Sequence, residues 1–158
     1  MRIVHYHREI RLVQGGVVRA VLDLSGSLAD EGHDVVLVTA DDSDVPDAWK
    51  AGGPGLPTVI RVPKPVPIPG FATPPFRRAM TSALDAADLV HLHGMWTPEN
   101  VTIARIARRL GVPYVLSPHG MLDDWGMSVR TFKKSTFLTL FGRRMLRDAA
   151  AIHLCGEA

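Results

Sequence analysis

A single cysteine, Cys155, stands among 158 residues, which excludes an internal disulfide framework and suits a reducing compartment. No apolar run approaches the roughly 20 residues that a membrane-spanning helix requires. His5, His7, Arg8 and Glu9 break up the N-terminal stretch, so no signal-peptide core is expected there. Excess charge of one sign is also scarce. A net charge of +2 is too small to argue for nucleic acid, and no aromatic-plus-basic RNA signature accompanies it. The G-x-G-x-x-G dinucleotide fingerprint is missing too. What remains, 46% hydrophobic against 22% charged residues, is the composition of one globular domain, expected to be cytoplasmic.

The apolar pattern predicts strands alternating with helices. Arg2 to His7 reads as a first strand, followed by a turn at Gly15-Gly16 and a helix with a Val17, Val21, Leu24, Leu28 stripe that ends at Gly32. Asp34 to Thr39 and Thr58 to Val62 read as further strands, with a solvated connection between them. The segment from Pro63 to Pro75 is too rich in proline for a central strand or a helix, and reads as a functional loop. A helix from Phe76 to Ala87 precedes a strand from Leu89 to Leu92. Thr97, Pro98 and Glu99 then have the residue types of a helix start, with Thr97 as the cap. That helix should bury Val101, Ile103, Ala104, Ile106, Ala107 and Leu110 and stop at Gly111. A strand from Tyr114 ends in Ser-Pro-His-Gly120, and Met121 to Gly126 reads as loop. A basic amphipathic helix spans Val129 to Arg147, and Ala150 to Leu154 is a last strand. The alternation implies an α/β fold: a Rossmann-like, doubly wound, mostly parallel sheet with helices on both faces.

Two strands end in His-Gly, placing His91, His93 and His119 where ligands of such sheets bind. His91 and His93 share a strand face, and His5 and His7 repeat the spacing. With His119 they could form a metal site, yet no carboxylate or cysteine is placed to complete it. Gly15-Gly16 either lets a backbone approach an anionic ligand or simply serves a strained turn. Arg19, in the first helical turn, either meets a phosphate or carboxylate or is solvated. Trp96 and Trp125 follow the two turns and either stack on a sugar ring or cover the sheet edge. The helix after Val129 carries a Phe137, Phe141, Met145 stripe, with Lys133, Lys134, Arg143, Arg144 and Arg147 elsewhere. Such a helix is either core with a basic outer face or a membrane-surface element. His33, next to a helix-ending glycine, is expected to be structural.

Together these residues resemble the N-terminal half of a family-4 retaining glycosyltransferase of GT-B fold, the group 1 type. The resemblance rests on Gly15-Gly16 with Arg19 and on Gly32-His-Asp-Val35. More specific are Ala87-Asp-Leu-Val-His-Leu-His-Gly-Met-Trp-Thr-Pro98 and Pro113-Tyr-Val-Leu-Ser-Pro-His-Gly-Met-Leu-Asp-Asp-Trp125; Lys133-Lys134, Arg143-Arg144 and Asp148-Ala-Ala-Ala-Ile-His153 continue it. It implies an acceptor-side domain, residues 1–158, that faces a donor-binding C-terminal domain absent from this chain. The glycosyltransferase would be of hexosyltransferase type, of the kind used in polysaccharide biosynthesis. It would move sugar from a nucleotide-sugar to a saccharide or lipid-linked acceptor, without a required metal or other cofactor.

By that resemblance Gly15, Gly16, Arg19 and Gly120 would lie on the donor side. His119 would stand at the reaction centre, and His93, Gly94, Trp96 and Trp125 would line the acceptor side. The chain alone is expected to be inactive. Peripheral contact with the inner face of a membrane would run through the basic helix. Two rivals stay open: a freestanding sugar- or nucleotide-binding module, and a fragment of a metal-dependent hydrolase using the histidines.

Overall fold

The computed structural model describes residues 1–121 and 131–154. Six strands among them form one all-parallel sheet: β1 (Arg2–Tyr6), β2 (Asp34–Thr39), β3 (Thr58–Arg61), β4 (Leu89–His93), β5 (Tyr114–Ser117) and β6 (Ala151–Ile152). Their order is β3-β2-β1-β4-β5-β6. The chain therefore winds outward from β1 in one direction, then returns to lay β4 on the other side. The doubly wound α/β expectation holds, and the reversal of strand order falls between β1 and β4.

Strand alternation divides the interior in two. Val4, Tyr6, Val36, Val38, Val90 and Leu92 face α3 (Pro74–Leu84) and α4 (Pro98–Leu110) in the larger core. On the opposite face Leu37 joins Val18 and Val21 of α1 (Gly16–Asp30), with Trp49 of α2 (Asp47–Ala51) packed alongside. His5, His91 and His93 alternate with the larger core's strand residues and so turn to the face that carries α1.

Several boundaries differ from the sequence expectation for physical reasons. The buried line of α1 is Val18, Val21, Ser25 and Ala29, while Val17, Leu24 and Leu28 flank it. Small residues let that helix sit close on the sheet, and the Ser25 hydroxyl is satisfied by the Val21 carbonyl at 2.7 Å. α3 starts two residues early, at Pro74, because the first helical positions need no N–H. It ends at Leu84 rather than Ala87. The first strand stops at Tyr6, and β4 runs on to His93. Thr97 does sit at the N-cap of α4, but its side chain makes no capping bond. Leu110 is exposed, and β6 is only two residues long.

Gly32 and Gly111 end α1 and α4 with left-handed φ values of 87° and 72°. Each is followed by a bond back into the last turn, His33 N–H to Leu28 O and Val112 N–H to Ala107 O. The segment between β3 and α3 contains no helix or strand. The basic helix is not continuous: α5 (Thr131–Phe137) and α6 (Arg143–Arg147) are joined by a π-helical stretch, Leu138–Gly142. Its Phe137, Phe141 and Met145 pack on the core, as the stripe predicts. The helix start expected at Val129 and the loop from Leu122 to Gly126 lie outside the described residues. No helix among the described residues is long and apolar enough to cross a membrane.

A candidate active site of linked histidines

The parallel register sets His5 of β1 directly beside His91 of β4, and His93 beside Ser117 of β5. All of these lie at or near the carboxyl ends of their strands, where the strand order reverses. Three imidazoles then form a hydrogen-bonded chain. His5 Nδ1 lies 3.1 Å from His93 Nε2, and His93 Nδ1 lies 3.0 Å from His119 Nε2. A branch leaves His91, whose Nε2 is 2.7 Å from Ser117 Oγ, itself 2.9 Å from His153 Nδ1. The rings of His91 and His93 stack with centroids 4.3 Å apart.

His5, His91 and His93 are buried, while His119 is half-buried. Loss of hydration disfavours their charged forms. Burial lowers the His5 pKa to about 4 and, with the neighbouring His5, His153 and His119, that of His91 to about 3. His93 is pushed well below its ordinary value by burial and then by the surrounding rings. His119 is lowered as well, by burial and then by His7 and His153. Neutral rings carry one proton each. The buried Nε2 of His5 has no hydrogen-bond partner. A lone pair rather than an N–H at that atom requires His5 to donate to His93 and His93 to donate to His119. His119 then keeps its own proton on Nδ1.

The turns that present this chain are strained in a directed way. His119, at φ 53°, is the non-glycine residue with left-handed backbone among the described residues, and Gly120 follows at φ 71°. Gly94 has φ 85°, and a Cβ there would stand 2.9 Å from Thr97 Oγ1. The Thr97 hydroxyl thus packs against the turn instead of capping its helix. Asn100 closes the same turn, its Nδ2 donating to the carbonyls of His93 and Gly94 at 3.1 and 2.9 Å.

Beneath the first turn lies an ion pair that sequence reasoning missed. Glu99 is fully buried and receives Arg8 through two nitrogens and the Tyr6 hydroxyl at 3.1 Å. It fixes the loop after β1 to the start of α4. In the sequence Glu99 registers only as an acid suited to a helix N-terminus; its partners lie more than ninety residues away. Asn100 and Ser117 carry no signal of their own beyond adjacency to the His-Gly turns, and His153 registers only as the end of the Asp148-to-His153 piece of the resemblance.

The other site candidates are placed as follows. Gly15 caps α1 with φ 95° and its N–H donates to the Leu12 carbonyl at 3.0 Å, while neither Gly15 nor Gly16 has an atom within 4 Å of where a Cβ would be. Arg19 is exposed and lines a cleft with Leu22, Asp23 and Trp49 between α1 and α2, away from the histidine chain. Trp96 is partly buried; its indole N–H donates to the Met121 carbonyl at 3.2 Å, and the Lys134 ammonium lies 5.4 Å from its ring. It ties the two His-Gly turns together. His7 bonds the Glu9 carbonyl at 3.0 Å instead of joining the chain. Trp125 lies outside the described residues.

A doubly wound, all-parallel sheet with helices on both faces and a reversal of strand order between β1 and β4 defines a Rossmann-like domain. The profile of the glycosyl transferase 4-like domain matches residues 15–158, most of the chain, and the protein belongs to that family. Among curated proteins none matches the chain.

Proposed function

We propose that this domain is the acceptor-side half of a retaining glycosyltransferase, working from a nucleotide-sugar onto a saccharide or lipid-linked acceptor, in the cytoplasm or at the inner face of a membrane. The observation that supports this most is the His5–His93–His119 chain, delivered to the strand-order reversal of a glycosyl transferase 4-like domain. In this reading His119 meets the transferred sugar. Its neutral ring hydrogen-bonds a hydroxyl and does not serve as a cation for phosphate. His93, 1% exposed, acts by holding His119 in one tautomer and orientation.

The positive end of α1 at Gly16, with room for close approach at Gly15 and Gly16, suits the donor diphosphate. The Gly120 turn adds to the donor side, while Gly94 and Trp96 border the acceptor; Arg19, in the cleft between α1 and α2, would reach the donor only from outside that edge. Charge develops on the departing phosphate oxygen, so fixed donors there lower the barrier. A second, donor-holding domain would complete the cleft. The scheme needs no metal, although His5, His91 and His93 each offer a ring nitrogen within 4.8 Å of the others and could hold an ion. Zinc in stoichiometric amount, in protein prepared without nickel resin, would favour the hydrolase alternative.

The test is NMR titration of the chain with a panel of nucleoside diphosphate sugars. Shifts clustered at Gly15, Gly16, His119 and Gly120 are expected, with little or no turnover. A panel in which no member perturbs the carboxyl edge of the sheet would sink the reading.

A further inference from the structure

The opposite face of the sheet carries a second polar feature, remote from the histidines. A cleft of about 90 Å³ opens between the proline-rich segment, α3 and α4, walled by Gly70, Arg77, Thr102, Arg105 and Arg109 among others. Three guanidinium groups thus border one small space, and among the described residues no carboxylate lines it. Thr102 is only 5% exposed, and its hydroxyl has no hydrogen-bond partner, a costly state for a buried polar group.

Arg77 stands in the first turn of α3, a turn without any acidic residue. That is the positive end of an eleven-residue helix, where an anion is favoured and a cation is not. Gly70 holds the wall in shape: at φ 74° its carbonyl accepts from Arg105 Nη1 at 3.3 Å, and a Cβ would fall 2.6 Å from that nitrogen. A wider cleft of about 340 Å³, lined by Arg105, Arg108, Arg109 and Arg144, adjoins and shares two of these arginines. Asp148 meets only Arg108 and Arg144 there, at 3.1 and 3.3 Å.

We propose that the small cleft is a binding site for a phosphate group. Guanidinium forks and a buried hydroxyl without a partner together match the geometry and charge of a phosphate ester. The space suits one tetrahedral oxyanion rather than a sugar. Either a soluble phosphate ester or a lipid headgroup offers this chemistry, and the exposed Ile68, Phe71 and Leu140 supply apolar surface on the proline-rich segment and the π-helical stretch.

The test uses inorganic phosphate in calorimetric titration at fixed ionic strength, with Thr102→Val and the exposed pair Arg77→Gln/Arg109→Gln as variants. Thermal melts confirm that each variant is folded. Saturable binding that both variants weaken at least roughly tenfold is expected. Sedimentation with vesicles then separates the sources. Binding to vesicles containing phosphatidic acid but not to phosphatidylcholine alone, competed by inorganic phosphate, assigns a lipid phosphate. Phosphate binding without sedimentation assigns a soluble ester. Absence of saturable phosphate binding, or equal binding by the wild type and both variants, overturns the site.

Discussion

Acidification should destabilise this domain earlier and more steeply than carboxylate chemistry alone would. The unfolded chain protonates its histidines near their ordinary value of about 6.5. In the folded state burial holds His5 near 4 and His91 near 3. Below about pH 6.5 the unfolded state therefore binds more protons, and stability falls until the folded rings titrate. At about pH 5 His5 and His91 have each withdrawn about 2 kcal/mol, about 4 kcal/mol together. His93 adds to the loss in the same direction. A domain stable by some 5–15 kcal/mol loses a large share of its margin. The melting temperature should fall by about 8–16 °C, at 2–4 °C per kcal/mol for this size. Asp41 and Asp148 are also shifted, but downward from the carboxylate range, so they do not act in this window. Urea unfolding followed by circular dichroism across this pH range, at constant ionic strength, reads the effect directly. His91→Asn should remove about one proton's worth of slope, about 1.4 kcal/mol per pH unit. A stability change under about 1 kcal/mol between neutrality and pH 5 would refute the claim that these rings are buried neutral.

Three substitutions probe the same edge. Glu99→Ala strands the Tyr6 hydroxyl and the Arg8 guanidinium and should cost about 2–4 kcal/mol in urea unfolding, discounted because Arg8 reaches solvent; a loss under about 1 kcal/mol would make the pair a bystander. Gly94→Ala must adopt left-handed φ and displace the Thr97 hydroxyl, so a loss of about 1–3 kcal/mol is expected, with a shift in Trp96 fluorescence. His119→Asn keeps a residue tolerant of left-handed backbone; its melting temperature should stay within about 4 °C of the parent while nucleotide-sugar shifts vanish. Equal loss of stability and binding would make His119 a structural residue.

The sequence carried those parts of the fold that depend on local pattern. β1, β2, β4 and β5 are short apolar runs, and α4 announces itself through Thr97-Pro98-Glu99 and Gly111. The two His-Gly turns do meet at one carboxyl edge of the sheet, as strands that stop at glycine and run parallel must. What stayed hidden depends on register. Nothing near His5 says that it will lie beside His91, or that His93 will bridge it to His119. The Arg8–Glu99 pair is hidden for the same reason. Helix α2 is five residues long, too short to display a stripe. The line of α1 was misplaced because Ser25 and Ala29, small rather than strongly apolar, make its closest contacts.

The π-helical stretch between α5 and α6 has a consequence for chain length. The Arg143 N–H bonds the Leu138 carbonyl five residues back, so this stretch holds one residue more than an α-helix would. Gly142 occupies the widened turn, where a Cβ would come within 2.7 Å of Met95 in the first His-Gly turn. An α-helix advances about 100° per residue. Deleting one residue between Leu138 and Gly142 would restore a regular helix with Met145 close to its core position, whereas a deletion within α6 ahead of Met145 would rotate it away by that angle. Loss of one residue should therefore be accepted at the bulge and resisted in the α-helical turns that flank it.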